Sequence, residues 1–313
     1  MNNIIKKTNK FGKTKFFFEK VEPLQNNLDD QFHSILYPEN LNDDYQICGG
    51  ARYNNLYKSS LNEFPLISII MPNFKEKNLS KSIDSVLNQN YENIELIVID
   101  GKSGEETNKI LMGYEDDIDI WVSEKDKNLW DAWNKGFLLA RGLFAGIVDS
   151  SNILYTDSLN ILKKYIAENS SIDFLCGTIK KDNKIYAGYR PNNIYRQFNI
   201  IPSTVVGFYV KLQSLKKAGL LNINYKFQSD YDWLYRIIVK HNMKGVRTKP
   251  EEIFGDLGKS NFSTKYSFFS LLINELKIRF NNKQSIIMIT FIFFGRTLMK
   301  SYKILSKLFR LKK

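Results

Sequence analysis

IELIVID, residues 94–100, running into GKSG at 101–104, is the stretch on which the fold turns. It is an apolar run of strand length that closes on a carboxylate and then on glycine turn residues, the pattern of a strand buried on both faces. LFAGIVD, residues 143–149, repeats the pattern and closes on Asp149, followed by Ser150, Ser151 and Asn152. In an open α/β sheet, ligands bind outside the carboxyl ends of the strands. A carboxylate leaving a buried strand there meets a base, a ribose or a metal ion, which points to a nucleotide site.

Two further strands lie around this pair. LISIIM (66–71) is halted by Pro72 and Asn73, and DIDIWVS spans 117–123. Helices are expected between them at Leu79–Asn88, Glu105–Met112 and Trp130–Ala140, the first with Leu79, Ile83, Val86 and Leu87 on one face. Alternating strands and helices of this kind predict an α/β fold, a mainly parallel sheet covered by helices. A helix at Asp157–Glu168, a strand at Ile172–Ile179, a hairpin through KDNK into Lys184–Tyr189, a strand at Ser203–Val210 and a helix beginning near Ser229 continue the pattern. The chain reads as a polar, Asn-rich extension over 1–63 that packs on the core without forming its own, a globular domain over 64–262 and a helical tail over 263–313.

The 313 residues, 43% apolar, suffice for one large core or two modest ones. Cys48 and Cys176 have no CxxC spacing, which argues against a disulfide framework or a thiolate zinc site. Two histidines, His33 and His241, stand apart from other ligand-type residues, so histidine chemistry is not expected, and no signal peptide opens the sequence. The net charge of +12 is uneven: Thr264–Lys313 holds eleven basic residues and one acidic. Nucleic-acid binding is not expected, because such domains spread basic residues over a folded face.

In that tail IIMITFIFF (286–294) is too short to cross a bilayer. On a helix from Arg296 onward, Arg296, Lys300, Lys303, Lys307 and Arg310 form one stripe and Leu298, Tyr302, Leu305, Leu308 and Phe309 the opposite face. This is the pattern of an interfacial helix drawn to anionic lipid. The alternative is a helix docked on the domain with a solvated basic face.

The segments PLISIIMPNFKE, IELIVIDGKSG, SEKDKNLWDAWNKG and GIVDSSN, in this order over about Pro65–Arg236, resemble family 2 glycosyltransferases of the GT-A fold, in particular bacterial enzymes that build surface polysaccharides. The resemblance implies a nucleotide pocket at Pro72, Asn73, Phe74, Lys75 and Glu76, with Phe74 in place of the usual Tyr. It assigns Asp100 to the base, with Gly101, Ser103 and Gly104 beside the donor, and Asp126, Asp131 and Lys135 to the donor pocket. Asp131 and Lys135 are equally well spaced for a plain i, i+4 ion pair. Asp149 falls where the family holds a divalent cation, Mg²⁺ or Mn²⁺, by a run of carboxylates; here only the Ser151 hydroxyl and the Asn152 carbonyl accompany it. In FQSDYDWLYRI, Asp230 maps onto the general base, whereas Asp232 is placed to pair with Arg236. The acceptor-side QxxRW motif of processive synthases is absent. The resemblance thus implies an inverting transferase that moves one sugar per encounter from a nucleoside-diphosphate sugar, UDP-linked, to a glycan or lipid-linked acceptor at the cytoplasmic face of the membrane. The alternative is a donor-binding or assembly subunit that keeps the fold without the chemistry.

Overall fold

The computed structural model describes residues 4–18, 47–61, 64–182, 184–186, 189, 205–258 and 266–310, with 205, 303, 304 and 307–310 described as backbone only. His33, and parts of the expected hairpin and of the Ser203–Val210 strand, lie outside the described residues.

A hairpin of β1 (Ile4–Thr8) and β2 (Thr14–Phe18) precedes the main sheet, whose first strand in sequence is β3 (Ile47–Gly49). The parallel centre is β4 (Ile67–Asn73), β5 (Ile94–Asp100), β6 (Ile120–Ser123) and β7 (Phe144–Ile147). Every residue of β4 and β5 is buried, as continuous apolar strands covered on both faces require. The remaining strands are β8 (Ile153–Leu154), β9 (Phe174–Cys176), β10 (Thr178–Lys181), β11 (Lys184–Tyr186), β12 (Phe208–Lys211), β13 (Gly245–Arg247) and β14 (Ile253–Asp256). The eight-stranded sheet runs β13-β9-β12-β7-β4-β5-β6-β3, and a smaller sheet runs β11-β10-β14-β8. β12 and β3 run antiparallel to their neighbours, so the sheet is mixed, parallel at its centre and again between β13 and β9.

The expected strand over 172–179 divides at Gly177 between the two sheets. A Cβ at Gly177 would lie 2.5 Å from the Phe254 ring, and the chain crosses to the second sheet where that ring closes in.

The helices are α1 (Leu79–Leu87), α2 (Glu105–Met112), α3 (Leu129–Leu139), α4 (Ser158–Glu168), α5 (Leu212–Ala218), α6 (Ser229–Tyr235), α7 (Phe268–Asn281) and α8 (Ile286–Arg310). α3 begins where the Asn128 side chain accepts the amides of Trp130 and Asp131. It lies close on β4 because Gly136 carries no side chain; a Cβ there would meet Ile70 at 2.1 Å.

The first sixty residues contribute more than the edge strand β3. Lys15, Arg52 and Lys58 reach Asp117, Glu95 and Asp119, and the last two pairs are buried. Each of those carboxylates would be costly to bury unpaired.

Candidate active site

The carboxyl ends of β4, β5 and β6 place Asn73, Asp100 and Ser123 side by side in register. Asp100 has no exposed surface. One of its oxygens accepts from Asn73 Nδ2 at 2.6 Å and from Ser103 Oγ, and the other accepts from the Ser103 amide at 2.9 Å and Ser123 Oγ at 2.6 Å. A carboxylate has about four acceptor positions, and all four are occupied. The direct contact with a base expected of Asp100 therefore meets a saturated group. Asp100 also organises the rim.

Ser103 Oγ also accepts the Lys75 amide at 2.8 Å, which ties the loop after β4 to the loop after β5. Both loops carry a non-glycine residue in the left-handed region, Lys75 at φ 54° and Lys102 at φ 57°. Strain of this kind persists where the surroundings over-determine the backbone, and it gathers at ligand sites. Phe74 stands 68% exposed on this rim beside Gly101, where a Cβ would lie 3.1 Å from the Phe74 ring and 3.2 Å from Asp126 Oδ2. Pro72 is buried in β4 and underlies the rim rather than lining it. Glu76 Oε1 accepts the Asn78 amide at 3.1 Å just ahead of α1.

Next to Gly101 lies an acidic corner around one cation. Lys135 Nζ, largely buried on α3, is 2.6 Å from Asp126 Oδ1, 2.6 Å from Glu124 Oε1 and 3.6 Å from Asp131 Oδ2. Burial pulls the Lys135 pKa down, but the hydrogen bonds to Asp126 and Glu124 outweigh it and hold the pKa above its ordinary value. Asp126 is pushed up to about 6 by desolvation, against the pull of Lys135. With all three carboxylates ionised the corner is net negative, so it suits sugar hydroxyls as donors better than phosphate. The expected Asp131–Lys135 pair is present but is the longest of the three, and Asp131 Oδ2 also accepts the Lys127 amide at 3.0 Å. Asn134, by contrast, clips the backbone of Leu221 through both ends of its amide.

On the other side of β4, Asp149 follows β7 by two residues. Its Oδ1 is buried with no hydrogen-bond partner among the described residues. Desolvation, and secondly the negative charge of Asp230, push its pKa up to about 6. Asp230 opens α6, where its Oδ1 accepts the Tyr231 amide at 2.9 Å. Burial pushes its pKa up to about 6 as well, although backbone hydrogen bonds pull the other way. Two carboxylates 81 positions apart in sequence are thus near enough for the charge of Asp230 to act on Asp149.

Of the other candidate ligands, Ser151 is half-buried in the loop, but Asn152 turns away. Its Oδ1 accepts the Gly258 amide at 2.9 Å and the residue is 1% exposed, so its carbonyl closes a loop and is unavailable to a cation. Among the described residues no three His, Cys, Asp or Glu side chains cluster as a metal site. An orphaned hard oxygen on Asp149 nevertheless fits a cation that takes its remaining ligands from phosphate and water.

Asp232 pairs with Arg236 at 2.9 Å, as its spacing predicts. Sequence reasoning missed Ser123, Glu124 and Gln228. Ser123 carries one retrospective signal, its place at the end of a strand in register with Asp100.

α8 lies against α7, with Arg296 Nη2 3.4 Å from Glu275 and Lys300 over the Phe268 ring. The start of the basic stripe thus leans on the protein, while Ile287, Phe291, Phe294, Leu298, Tyr302 and Leu305 form an outward stripe, each more than half exposed. The side chains of Lys303, Lys307, Leu308, Phe309 and Arg310 lie outside the described residues. Among the described residues no helix is long and apolar enough to cross a membrane.

Residues 68–241 match the family model described as Glycosyl transferase family 2. Glycosyltransferase RP339 of Rickettsia prowazekii is 28% identical over 188 residues, 55% of this chain and 58% of that protein. UDP-Glc:alpha-D-GlcNAc-diphosphoundecaprenol beta-1,3-glucosyltransferase WfgD of Escherichia coli is 35% identical over 157 residues, 50% of this chain and 57% of that protein. The chain spans less than three fifths of the length of each. Among solved structures, S. aureus TarS 1-349 in complex with UDP-GlcNAc superposes with a TM-score of 0.57 at 16% identity, covering 72% of this chain and 69% of that one. At that identity the likeness bears on the fold.

Proposed function

Because the chain belongs to glycosyl transferase family 2 and has the GT-A fold, we propose that it transfers a sugar, with inversion, from a uridine diphosphate donor to a hydroxyl of a membrane-held glycan or lipid-linked acceptor. The observation that carries this reading is the meeting of Asp149 and Asp230, one with an oxygen that lacks a partner and both poised near pH 6.

In this reading Asp230 accepts the proton of the acceptor hydroxyl as its oxygen bonds to the anomeric carbon, while the bond from that carbon to the diphosphate oxygen breaks on the opposite face. The raised pKa suits a general base better than an ordinary aspartate would. Asp149 Oδ1 and the Ser151 hydroxyl would hold a divalent cation, which neutralises charge on a departing diphosphate. Phe74 and Gly101 offer a flat surface for the uracil, on a rim kept rigid by Asp100. Asp126 and Asp131 take sugar hydroxyls. The donor assignment is supported by what WfgD is named for and by the UDP-GlcNAc bound to TarS.

The outward stripe of α8, about 27 Å from Ile287 to Leu305 at 1.5 Å per residue, supports docking on an anionic bilayer. The eleven basic residues against one acidic in the last fifty support the choice of lipid. Replacing Phe291 and Leu298 by Ser should abolish sedimentation with phosphatidylglycerol vesicles; sedimentation equal to that of the parent chain contradicts docking.

Release of UDP from UDP-glucose or UDP-N-acetylglucosamine tests the chemistry. Asp230→Asn should lower it at least about a hundredfold. UDP binding with no turnover of any donor would instead favour a binding subunit.

A further inference from the structure

We propose that Glu275 is a positioning residue that holds, through Tyr231, the helix turn presenting Asp230, and that ties this turn to α8 through Arg296. The proposal rests on the reading of Asp230 as the base.

Glu275 is the sole acidic residue between Thr264 and Lys313, and it is buried. Its Oε1 accepts from Tyr231 Oη at 2.8 Å and lies 3.3 Å from Arg279 Nη2 and 3.4 Å from Arg296 Nη2. Tyr231 is the residue whose amide hydrogen-bonds the Asp230 carboxylate. Arg279, with no exposed surface, lies over the rings of Tyr231 and Tyr235.

α7 and the residue that caps it, Asn282, grip the same turn at two more points. Asn274 Nδ2 donates to Gln228 Oε1 at 3.1 Å and to the Phe227 carbonyl at 3.2 Å. Gln228 is the left-handed residue, φ 61°, from which α6 departs. Asn282 Nδ2 donates to Asp232 Oδ1 at 2.8 Å.

A helix contact needed only for stability is better served by apolar side chains, since a buried ion pair repays its desolvation poorly. What the polar contact adds is direction. Hydrogen bonds to residues 227, 228, 231 and 232 fix the rotation of α6, and with it the aim of the carboxylate between them. Because α8 shares the Glu275 carboxylate, the helix proposed to lie on the bilayer is mechanically joined to the base.

Glu275→Gln removes a buried charge from beside two arginines and risks the fold, so the test uses Tyr231→Phe, which removes one hydroxyl and keeps the ring, and Arg296→Ala. Hydrogen exchange of the amides of 230–233 in the full chain needs no substrate. It should quicken about tenfold in Tyr231→Phe, the worth of one hydrogen bond to a charged group, and less in Arg296→Ala. UDP release from UDP-glucose or UDP-N-acetylglucosamine should show kcat down about tenfold with the donor KM within about twofold. The acid limb of its pH profile should move upward, because a loosened Tyr231 amide stabilises the Asp230 charge less. Wild-type exchange in both variants overturns the coupling whatever the turnover. So do an unchanged kcat and pH limb beside an inactive Asp230→Asn, a result that leaves the base reading standing. Full turnover in Asp230→Asn removes the base reading, and the proposal with it.

Discussion

Asp100 and Asp149 leave the same sheet on either side of β4, and their surroundings treat them in opposite ways. Asp100 is fully buried and accepts four hydrogen bonds from three segments of chain. Asp149 keeps an oxygen without a partner, and its pKa rises to about 6 beside Asp230. A carboxylate whose lone pairs are all used is a structural joint. One that is buried and left short of partners is held ready for something that is not part of the chain.

The sharpest way to break this contrast is to neutralise one member at a time. Asp149→Asn should lower UDP release by about a hundredfold, as losing one charge contact at a developing negative centre does. It should also raise the melting temperature at pH 7.5 without metal, since it removes a poorly solvated charge beside Asp230. Asp100→Asn should do the reverse to stability. With four donors facing a group that itself donates, unfolding should become easier by on the order of 2–4 kcal/mol, read as a lower denaturant midpoint. Equal stability losses in the two variants would erase the distinction.

Asp149 and Asp230, together with Asp126, contribute to the pH dependence around pH 6. The Asp149 and Asp230 carboxyls rise from 3.8 to about 6 on folding, so the folded chain holds protons that the unfolded chain releases between those values. Their contribution to stability is therefore greatest below about pH 4 and declines as pH rises through about 6. Activity runs the other way, because a base must be deprotonated; the acid limb of kcat/KM should fall near pH 6. A limb near pH 4 would remove both carboxylates from that role. The smallest effect is expected at Gly101. Gly101→Ala places a methyl 3.1 Å from the Phe74 ring and should raise the KM for UDP-glucose only about threefold, leaving kcat in place.

Much of this is legible in the sequence where neighbours in sequence are neighbours in the fold. The β4-to-α4 alternation, the α2 boundaries and the Asp232–Arg236 pair come from periodicity and i, i+4 spacing. The saturation of Asp100 is not legible there, because its donors Asn73, Ser103 and Ser123 converge only through strand register. Nor is the approach of Asp149 to Asp230, or the enclosure of Lys135 by three carboxylates, of which only one lies at helical spacing. Asn152 illustrates the limit most plainly. Its residue type suits a cation, but a contact with the Gly258 amide, 106 positions away, turns it inward. The stripes of the tail are plain in its sequence, yet which stripe faces outward depends on how α8 packs on α7, where Arg296 meets Glu275 and Lys300 lies over Phe268.

Calorimetry of UDP binding, in Mn²⁺ and in EDTA, tests most directly the claim that the unsatisfied oxygen of Asp149 holds the donor's cation. The account predicts that Mn²⁺ tightens UDP binding at least about tenfold in the parent chain, about 1.4 kcal/mol, that Asp149→Asn abolishes the difference, and that Asp100→Asn preserves it. Equal affinity in EDTA, or Mn²⁺ tightening that survives in Asp149→Asn, would contradict it.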